Sequence, residues 1–149
     1  MKKIKILNES WVDEIFEIEK KCFEYPWTKR FLKNEFENSY TEVYGLFVDE
    51  ELIGFSIISL IYKYNLSHIK NFAVLPSKQN MGYGTFFLLN IHKILKKNKI
   101  KNIFLEVRIS NERAIKLYRK FNYKIVEVLK NYYKNNNENA FRMWFNLEN

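Results

Sequence analysis

The chain has 149 residues, 47% of them hydrophobic and 17% aromatic, with a formal net charge of +8. That length holds one domain, over residues 1–149, burying roughly 68–70% of its unfolded surface, and the aromatic content excludes a disordered chain. One cysteine excludes an internal disulfide, and no apolar run approaches the roughly 18–20 residues of a membrane span.

Ile4 and Ile6 alternate with lysines as a first strand, and Ser10 is placed to cap a helix carrying Ile15, Phe16, Ile18, Glu19, Cys22 and Phe23. In that pattern Cys22 reads as a small buried hydrophobe rather than a nucleophile. After Glu24-Tyr25-Pro26-Trp27, Thr28 reads as the cap of a second short helix through Phe31, Leu32, Glu35 and Phe36. Runs over 41–48 and 52–62, joined by Asp49-Glu50-Glu51, predict an antiparallel hairpin, and a third strand spans 67–74. Pro76 stops it; a glycine-bearing loop follows, then a helix to about Asn98. A strand over 102–107 precedes a helix capped by Asn111 with Ala114, Leu117, Tyr118 and Phe121 on one face. Strands over 123–130 and 140–147, separated by Asn135-Asn136-Asn137, complete a mixed α/β sheet without internal repeats.

The charge permits nucleic acid or an anionic cofactor as a partner. Much of it lies in Lys93, Lys96, Lys97, Lys99 and Lys101, where a helix C-terminus favours a solvated cationic face. No arginine-rich arm or aromatic RNA-binding signature accompanies it, so direct nucleic-acid contact is not expected. His68 and His92 have no cysteine or carboxylate at ligand spacing, so no metal is expected. Met1-Lys2-Lys3 leads into a strand pattern rather than a signal-peptide core, so a cytoplasmic protein off the membrane is expected, as a monomer or weak dimer.

Two of the four glycines, Gly82 and Gly84, stand in Gln79-Asn80-Met81-Gly82-Tyr83-Gly84-Thr85 at the entrance of the long helix. Unpaired N–H groups at the positive end of a helix dipole make a phosphate cradle. The dinucleotide fingerprint fails at Phe87, too large for its third small position. The P-loop fails because Thr85-Phe86 follow Gly84 where Lys and then Ser or Thr are needed. Without those groups the loop suits anchoring of a phosphorylated cofactor, not phosphoryl transfer.

Gln79-x-x-Gly82-x-Gly84 after an apolar strand resembles the acetyl-coenzyme A pyrophosphate loop of the GNAT acetyltransferases. Downstream, Leu105-Glu106-Val107-Arg108, Ser110-Asn111, Ala114-Ile115 and Leu117-Tyr118 resemble the segment after that loop in the RimI-type ribosomal-protein alanine N-acetyltransferases. Tyr25-Pro26-Trp27 and Asn131-Tyr132-Tyr133 sit where those enzymes have similar residues. Gln79 in place of the commoner Arg, and Phe121-Asn122-Tyr123 without a glycine after the last helix, depart from the pattern.

The resemblance implies an α/β GNAT fold: a mixed, mostly antiparallel seven-stranded sheet, about four flanking helices and a central parallel β-α-β portion. It implies acetyl-coenzyme A as acetyl donor, with backbone along Phe72, Ala73 and Val74 meeting the pantetheine arm. Gln79, Asn80, Met81, Gly82, Tyr83, Gly84 and Thr85 would hold the pyrophosphate, and Asn111 would contact the cofactor too. The implied acceptor is a protein N-terminal α-amine, most plausibly alanine of a small-subunit ribosomal protein.

Acetyl transfer needs a neutral amine, donors for the oxyanion and a proton for the departing thiolate. On position alone, Glu106 in the apolar strand Ile103 to Val107 is either functional or an outward-facing carboxylate paired with a lysine; buried, it must be paired or raised in pKa. By resemblance it is the general base, directly or through water. Tyr118 reads as a core tyrosine, and by resemblance as the group that donates to the thiolate. Tyr25, Trp27, Tyr132 and Tyr133 either wall a slot for an extended peptide or cover the core; Tyr132-Tyr133 in a polar loop favour the slot. Two other readings fit the same residues: a related enzyme acetylating a small amine or lysine, and a non-catalytic module binding coenzyme A or RNA.

Overall fold

The computed structural model describes residues 1–148. Strands β1 (Lys2–Leu7), β2 (Thr41–Val48), β3 (Glu51–Ile61), β4 (Leu66–Val74), β5 (Asn102–Arg108), β6 (Lys124–Tyr133) and β7 (Glu138–Asn146) alternate with helices α1 (Val12–Cys22), α2 (Lys29–Glu37), α3 (Tyr83–Lys97) and α4 (Glu112–Lys120). The strands form one seven-stranded sheet in the order β1-β2-β3-β4-β5-β7-β6. Every neighbouring pair is antiparallel except β4 with β5. The fold is therefore the mixed, mostly antiparallel one expected, and α3 supplies the crossover that a parallel pair requires.

A helical layer covers each face. Leu32 of α2 and Ile15 of α1 pack with Val43, Phe47 and Phe55, whereas Phe87, Leu88 and Ile91 of α3 pack with Tyr44, Leu46 and Ile53. The opposite destinations of residues 43 and 47 and residues 44 and 46 follow the two-residue period of a strand. Full burial of Leu32, Phe87 and Ile91 contributes about 1.5–3 kcal/mol each.

Thr28 and Asn111 are the caps expected: Thr28 Oγ1 accepts from Phe31 N at 3.1 Å and Asn111 Oδ1 from Ala114 N at 3.2 Å. Ser10 is not a cap. Asn8 takes that role, accepting from Ser10 N at 3.0 Å to start a 3-10 turn that leads into α1. Ser10 lies inside that turn and its hydroxyl donates to Asn8 Oδ1, so it is turned away from the N–H groups ahead of it. The expected end of β6 at Lys130 is also corrected: the strand runs to Tyr133, so Tyr132 and Tyr133 close a strand instead of lying in a loop.

The missing glycine after α4 has a structural answer. Asn122 takes the left-handed conformation at φ 70°, donates to Arg119 O at 2.9 Å, and lets Tyr123 donate to Tyr118 O at 3.0 Å. Those two bonds are a Schellman stop, in which asparagine serves where glycine is usual. Its apolar partner contact is Tyr118 with Tyr123, ring centroids 5.4 Å apart. Tyr123 Oη in turn meets the buried His92 Nε2 at 2.8 Å, and burial pushes His92 down to about 4, so the imidazole is neutral. The stop thus fixes Tyr118 from its own backbone. Asn122→Gly is expected to raise unfolding stability by about 0.5–1 kcal/mol by relieving the left-handed strain, with the fold unchanged. Urea denaturation measures it; a loss of stability would contradict the account.

Candidate active site

β4 and β5 pair over only four residues each, Leu66–Ile69 against Asn102–Leu105. Beyond that β4 stays paired with β3 as far as Gly54↔Val74, and β5 with β7 as far as Arg108↔Ala140. The sheet opens between them. The register skips Lys70, because Ile58 faces Ile69 and Ile57 faces Asn71, and such a bulge bends the strand away. Lys70 Nζ is tied to Glu35 Oε2 of α2 at 2.6 Å, which pins the bulge.

Leu75 N donates to Ile53 O at 2.8 Å, so strand alternation turns the backbone groups of Ala73 toward β3 and those of Phe72 and Val74 toward the opening. Ala73 therefore borders the cleft without free backbone bonds. The Val74 carbonyl is taken by Gln79 Nε2 at 2.9 Å and by the Cys22 thiol at 3.3 Å. Burial, then the nearby Glu19 carboxylate, pushes that thiol up to about 12, which suits Cys22 as a packing group and not a nucleophile.

Two cavities meet at the opening. The first, about 620 Å³, is lined by Phe72, Ala73, Val74, Gln79, Asn80, Gly82, Gly84, Thr85 and Asn111 of the expected set. Met81 and Tyr83 fall outside it: Met81 is exposed, and Tyr83 packs against the α3-side core. Three cations that the sequence reading did not single out, Arg113, Lys116 and Lys120 of α4, line the same cavity. Their i, i+3, i+7 spacing is the signal that would have found them.

The mouth of α3 faces this cavity. Phe86 N makes the first turn's bond to Gly82 O at 3.0 Å, and no side chain caps the helix, which leaves the N–H groups of Tyr83, Gly84 and Thr85 without internal acceptors. Gly82 holds φ 85°, a conformation that favours glycine, and a Cβ there would meet nothing within 4 Å. Gly84 is different. Its φ is ordinary and a Cβ would sit at an unstrained 3.6 Å from Leu117 Cδ2, so nothing inside the protein demands its bare backbone.

The second cavity, about 670 Å³, shares Phe72, Asn111 and Ala114 with the first and adds Glu106, Tyr118, Tyr25, Trp27 and Tyr133. The Glu106 side chain is 6% exposed and is neither lysine-paired nor outward in solvent. His68 Nε2 lies 2.7 Å from Oε1, and Arg142 donates Nε–H to Oε2 at 3.0 Å. Burial alone would raise this carboxyl, but His68 and then Arg142 outweigh it and hold Glu106 below the usual carboxylate range. Tyr118 is buried, and burial pushes its phenol well above 10, so it is a proton donor at neutral pH. Its hydroxyl has no hydrogen-bond partner among the described residues, and none of the buried, solvent-inaccessible polar atoms is unpaired. The hydroxyl therefore opens onto the cavity.

Arg108, for which sequence reading gave no role, organises the outer wall. Its guanidinium lies 3.9 Å from the Tyr133 ring centroid and 5.1 Å from that of Tyr25, and it bonds Glu138 Oε1 at 3.0 Å and Asn135 Oδ1 at 3.0 Å. Two aromatic walls are thereby fixed to one cation. Tyr132 is not part of that lining; it is exposed, packs edge-on against Tyr133 with ring centroids 5.0 Å apart, and has its phenol near Glu106. Among the described residues no group of three His, Cys, Asp or Glu side chains is gathered to hold a metal.

Residues 12–123 match the model of the Acetyltransferase (GNAT) family. The chain belongs to that family. The [ribosomal protein bS18]-alanine N-acetyltransferase of Haemophilus influenzae is 31% identical over 121 residues, covering 81% of this chain and 80% of that one. The crystal structure of the ribosomal-protein-S18-alanine N-acetyltransferase from Escherichia coli has the same fold, with a TM-score of 0.90 at 24% identity, covering 99% of this chain and 94% of that one. A Thermoplasma acidophilum N-acetyltransferase solved in complex with coenzyme A superposes with a TM-score of 0.81 at 21% identity, covering 98% of this chain and 99% of that one. This GNAT protein is an N-acetyltransferase, and its candidate centre is the junction of the two cavities.

Removing one partner of Glu106 tests the pairing. Arg142→Met is expected to cost about 1–3 kcal/mol, below the full price of breaking a buried pair because Arg142 stays about a third exposed. A folded carboxyl held low contributes stability that is full above its unfolded pKa and fades as pH falls through its folded value. The wild-type advantage over Arg142→Met should shrink on acidification through that range. An unfolding difference independent of pH would contradict the pairing.

Proposed function

We propose that this enzyme transfers the acetyl group of acetyl-coenzyme A to the α-amine of a protein N-terminus, the N-terminal alanine of a small-subunit ribosomal protein being the acceptor. The observation that carries this reading is Glu106, a carboxylate kept ionised by His68 and Arg142 that lines, with Tyr118, the cavity adjoining the first.

The first cavity fits the donor. The open N–H groups of Tyr83, Gly84 and Thr85 suit a pyrophosphate, Arg113, Lys116 and Lys120 add positive charge, and the free N–H of Val74 with the backbone of Phe72 suits an amide-bearing arm. Acetyl-coenzyme A, when bound, supplies an activated thioester carbonyl. Glu106 would take the proton that the amine sheds, directly or through one water, while Tyr118 would donate a hydrogen bond to the departing sulfur. A phenol raised above 10 gives up its proton reluctantly to a thiolate near 8.5, so Tyr118 acts by hydrogen bonding before any transfer.

The acceptor follows from the base. An α-amine near 7.7–8.0 is partly neutral at cell pH, whereas lysine near 10.4 must lose a further 2.4 units or so, about 3 kcal/mol. A carboxylate held low is a weak base and suits the easier amine. The second cavity, walled by Tyr25, Trp27 and Tyr133, offers aromatic surface and phenol hydroxyls suited to an extended peptide, and the name of the Haemophilus influenzae relative supports a ribosomal target. Such an acceptor makes the cytoplasm the place of work.

The deciding assay is acetyl-coenzyme A turnover with short peptides of varied first residue beside an N-blocked lysine peptide. An alanine-first peptide is the expected best acceptor, with Glu106→Gln lowering kcat/KM about 100- to 10,000-fold and Tyr118→Phe lowering kcat with coenzyme A affinity retained. Turnover of the lysine peptide alone overturns the acceptor. For the donor, Gly84→Ala should leave stability equal or higher, by up to about 1 kcal/mol, yet weaken coenzyme A binding measured by calorimetry.

A further inference from the structure

Glu19 of α1 is one of two buried glutamates, and its role in the chemistry above is nil. Its carboxylate accepts from Trp27 N at 2.9 Å and from Asn71 Nδ2 at 2.7 Å, both neutral donors. Of the other carboxylates in or near the acceptor cavity, Glu35 has Lys70, Glu138 has Arg108, Glu106 has Arg142 and His68, and Glu24 is exposed to solvent, where burial places no demand for a counter-charge. Among the described residues Glu19, only 2% exposed, has no cationic partner, although it lines that cavity beside Asn71 and Glu106. Burial is unfavourable for a lone carboxylate, and what relieves it is a cation delivered from the cavity.

We propose that Glu19 is the residue that receives the ammonium form of the acceptor amine, binding it in the second cavity before the nitrogen is deprotonated. This rests on the amine-acetylation reading above. Burial raises the Glu19 carboxyl, which agrees with a group that gains its counter-charge only when a substrate enters. Each of its oxygens accepts one bond and retains lone-pair capacity for another. The cations nearest at hand, Lys70 and Arg108, are committed to Glu35 and Glu138, and the neighbouring Cys22 is a neutral thiol, so none of them competes with an incoming ammonium.

The site binds the ground state, and that fixes the kinetic signature. An interaction with the ammonium is lost when the neutral amine attacks, so it stabilises the bound substrate and not the transition state, lowering KM and kcat together and leaving kcat/KM unchanged. Glu106 is distinguished by the opposite pattern, a loss of kcat.

Glu19→Gln preserves the fold on geometric grounds, because a turned-over Asn71 amide can accept from the new amide while the remaining oxygen keeps the Trp27 N–H. The experiment compares an alanine-first peptide with its desamino analogue, both titrated into the coenzyme A complex at pH 6.5, where the α-amine is largely protonated. The wild type should prefer the ammonium peptide by about tenfold or more, and Glu19→Gln should lose most of that preference and raise KM and kcat together by up to about tenfold, with kcat/KM within about twofold. Glu19→Asp, which keeps the charge, should restore part of the preference. An unchanged preference in Glu19→Gln, with coenzyme A affinity and Tm at wild-type values, overturns the proposal.

If Glu19→Gln fails to fold, the wild-type carboxyl ¹³C resonance of Glu19 decides. It should shift with the ammonium peptide and not with the desamino one, and equal responses overturn the proposal. Turnover on peptides with an unchanged preference sinks this inference alone, whereas absence of turnover on every amine sinks the functional reading and this with it.

Discussion

The parallel ladder between β4 and β5 stops at Ile69 and Leu105, and the placement of the site depends on that stop. Each strand keeps its antiparallel neighbour on the far side, so the sheet is anchored while its centre opens. Because β4 and β5 point the same way, their C-terminal ends lie at the same side of the opening, and each is followed by a helix. The starts of α3 and α4 therefore converge on one cleft, bringing two positive dipole ends and the unpaired first-turn N–H groups of α3 to it. Open strand edges left in an interior are unfavourable; here they face a space that a ligand backbone can fill.

Charge is distributed to match. On the acceptor side, Glu35, Glu106 and Glu138 are neutralised by partners from other elements, and those bonds brace α2 to β4 and, at two points, β5 to β7. The same pairs that keep carboxylates affordable in a half-buried cavity also hold its walls at fixed spacing. On the donor side the cations of α4 stand without such partners around the cleft, an excess suited to an anionic ligand. The lysines at the end of α3 are exposed and distant in role, so the overall basicity is a poor guide to where the anion binds.

What was legible in the sequence was local. The glycine loop, the Asn111 cap and Glu106 as a misfit in an apolar strand each declare themselves within a few residues, and the structure brings all three to the junction. His68 and Arg142 were not legible, because they lie 38 and 36 residues from Glu106 and meet it only across sheet registers. Glu19 was hidden by the pattern that revealed its helix: on an apolar stripe a single carboxylate reads as a boundary residue. Tyr132 and Tyr133 were read as a pair in one loop. Both end β6, where Tyr133 lines the cavity beside Arg108 and Tyr132 stands exposed with its phenol near Glu106.

The weakness of Glu106 as a base has a consequence for the division of labour. A general base tuned toward neutrality would hold the proton better, but it would need less cationic support, and Glu106 has His68 on one oxygen and Arg142 on the other. Those partners hold the carboxylate in one geometry on the cavity wall. Orientation is thus gained at the expense of basicity, a trade that works when the acceptor is already partly neutral and fails when it is not. Ascending activity with pH would then follow the acceptor amine, since Glu106 is ionised well below that range, and changing the amine rather than the enzyme would move the limb.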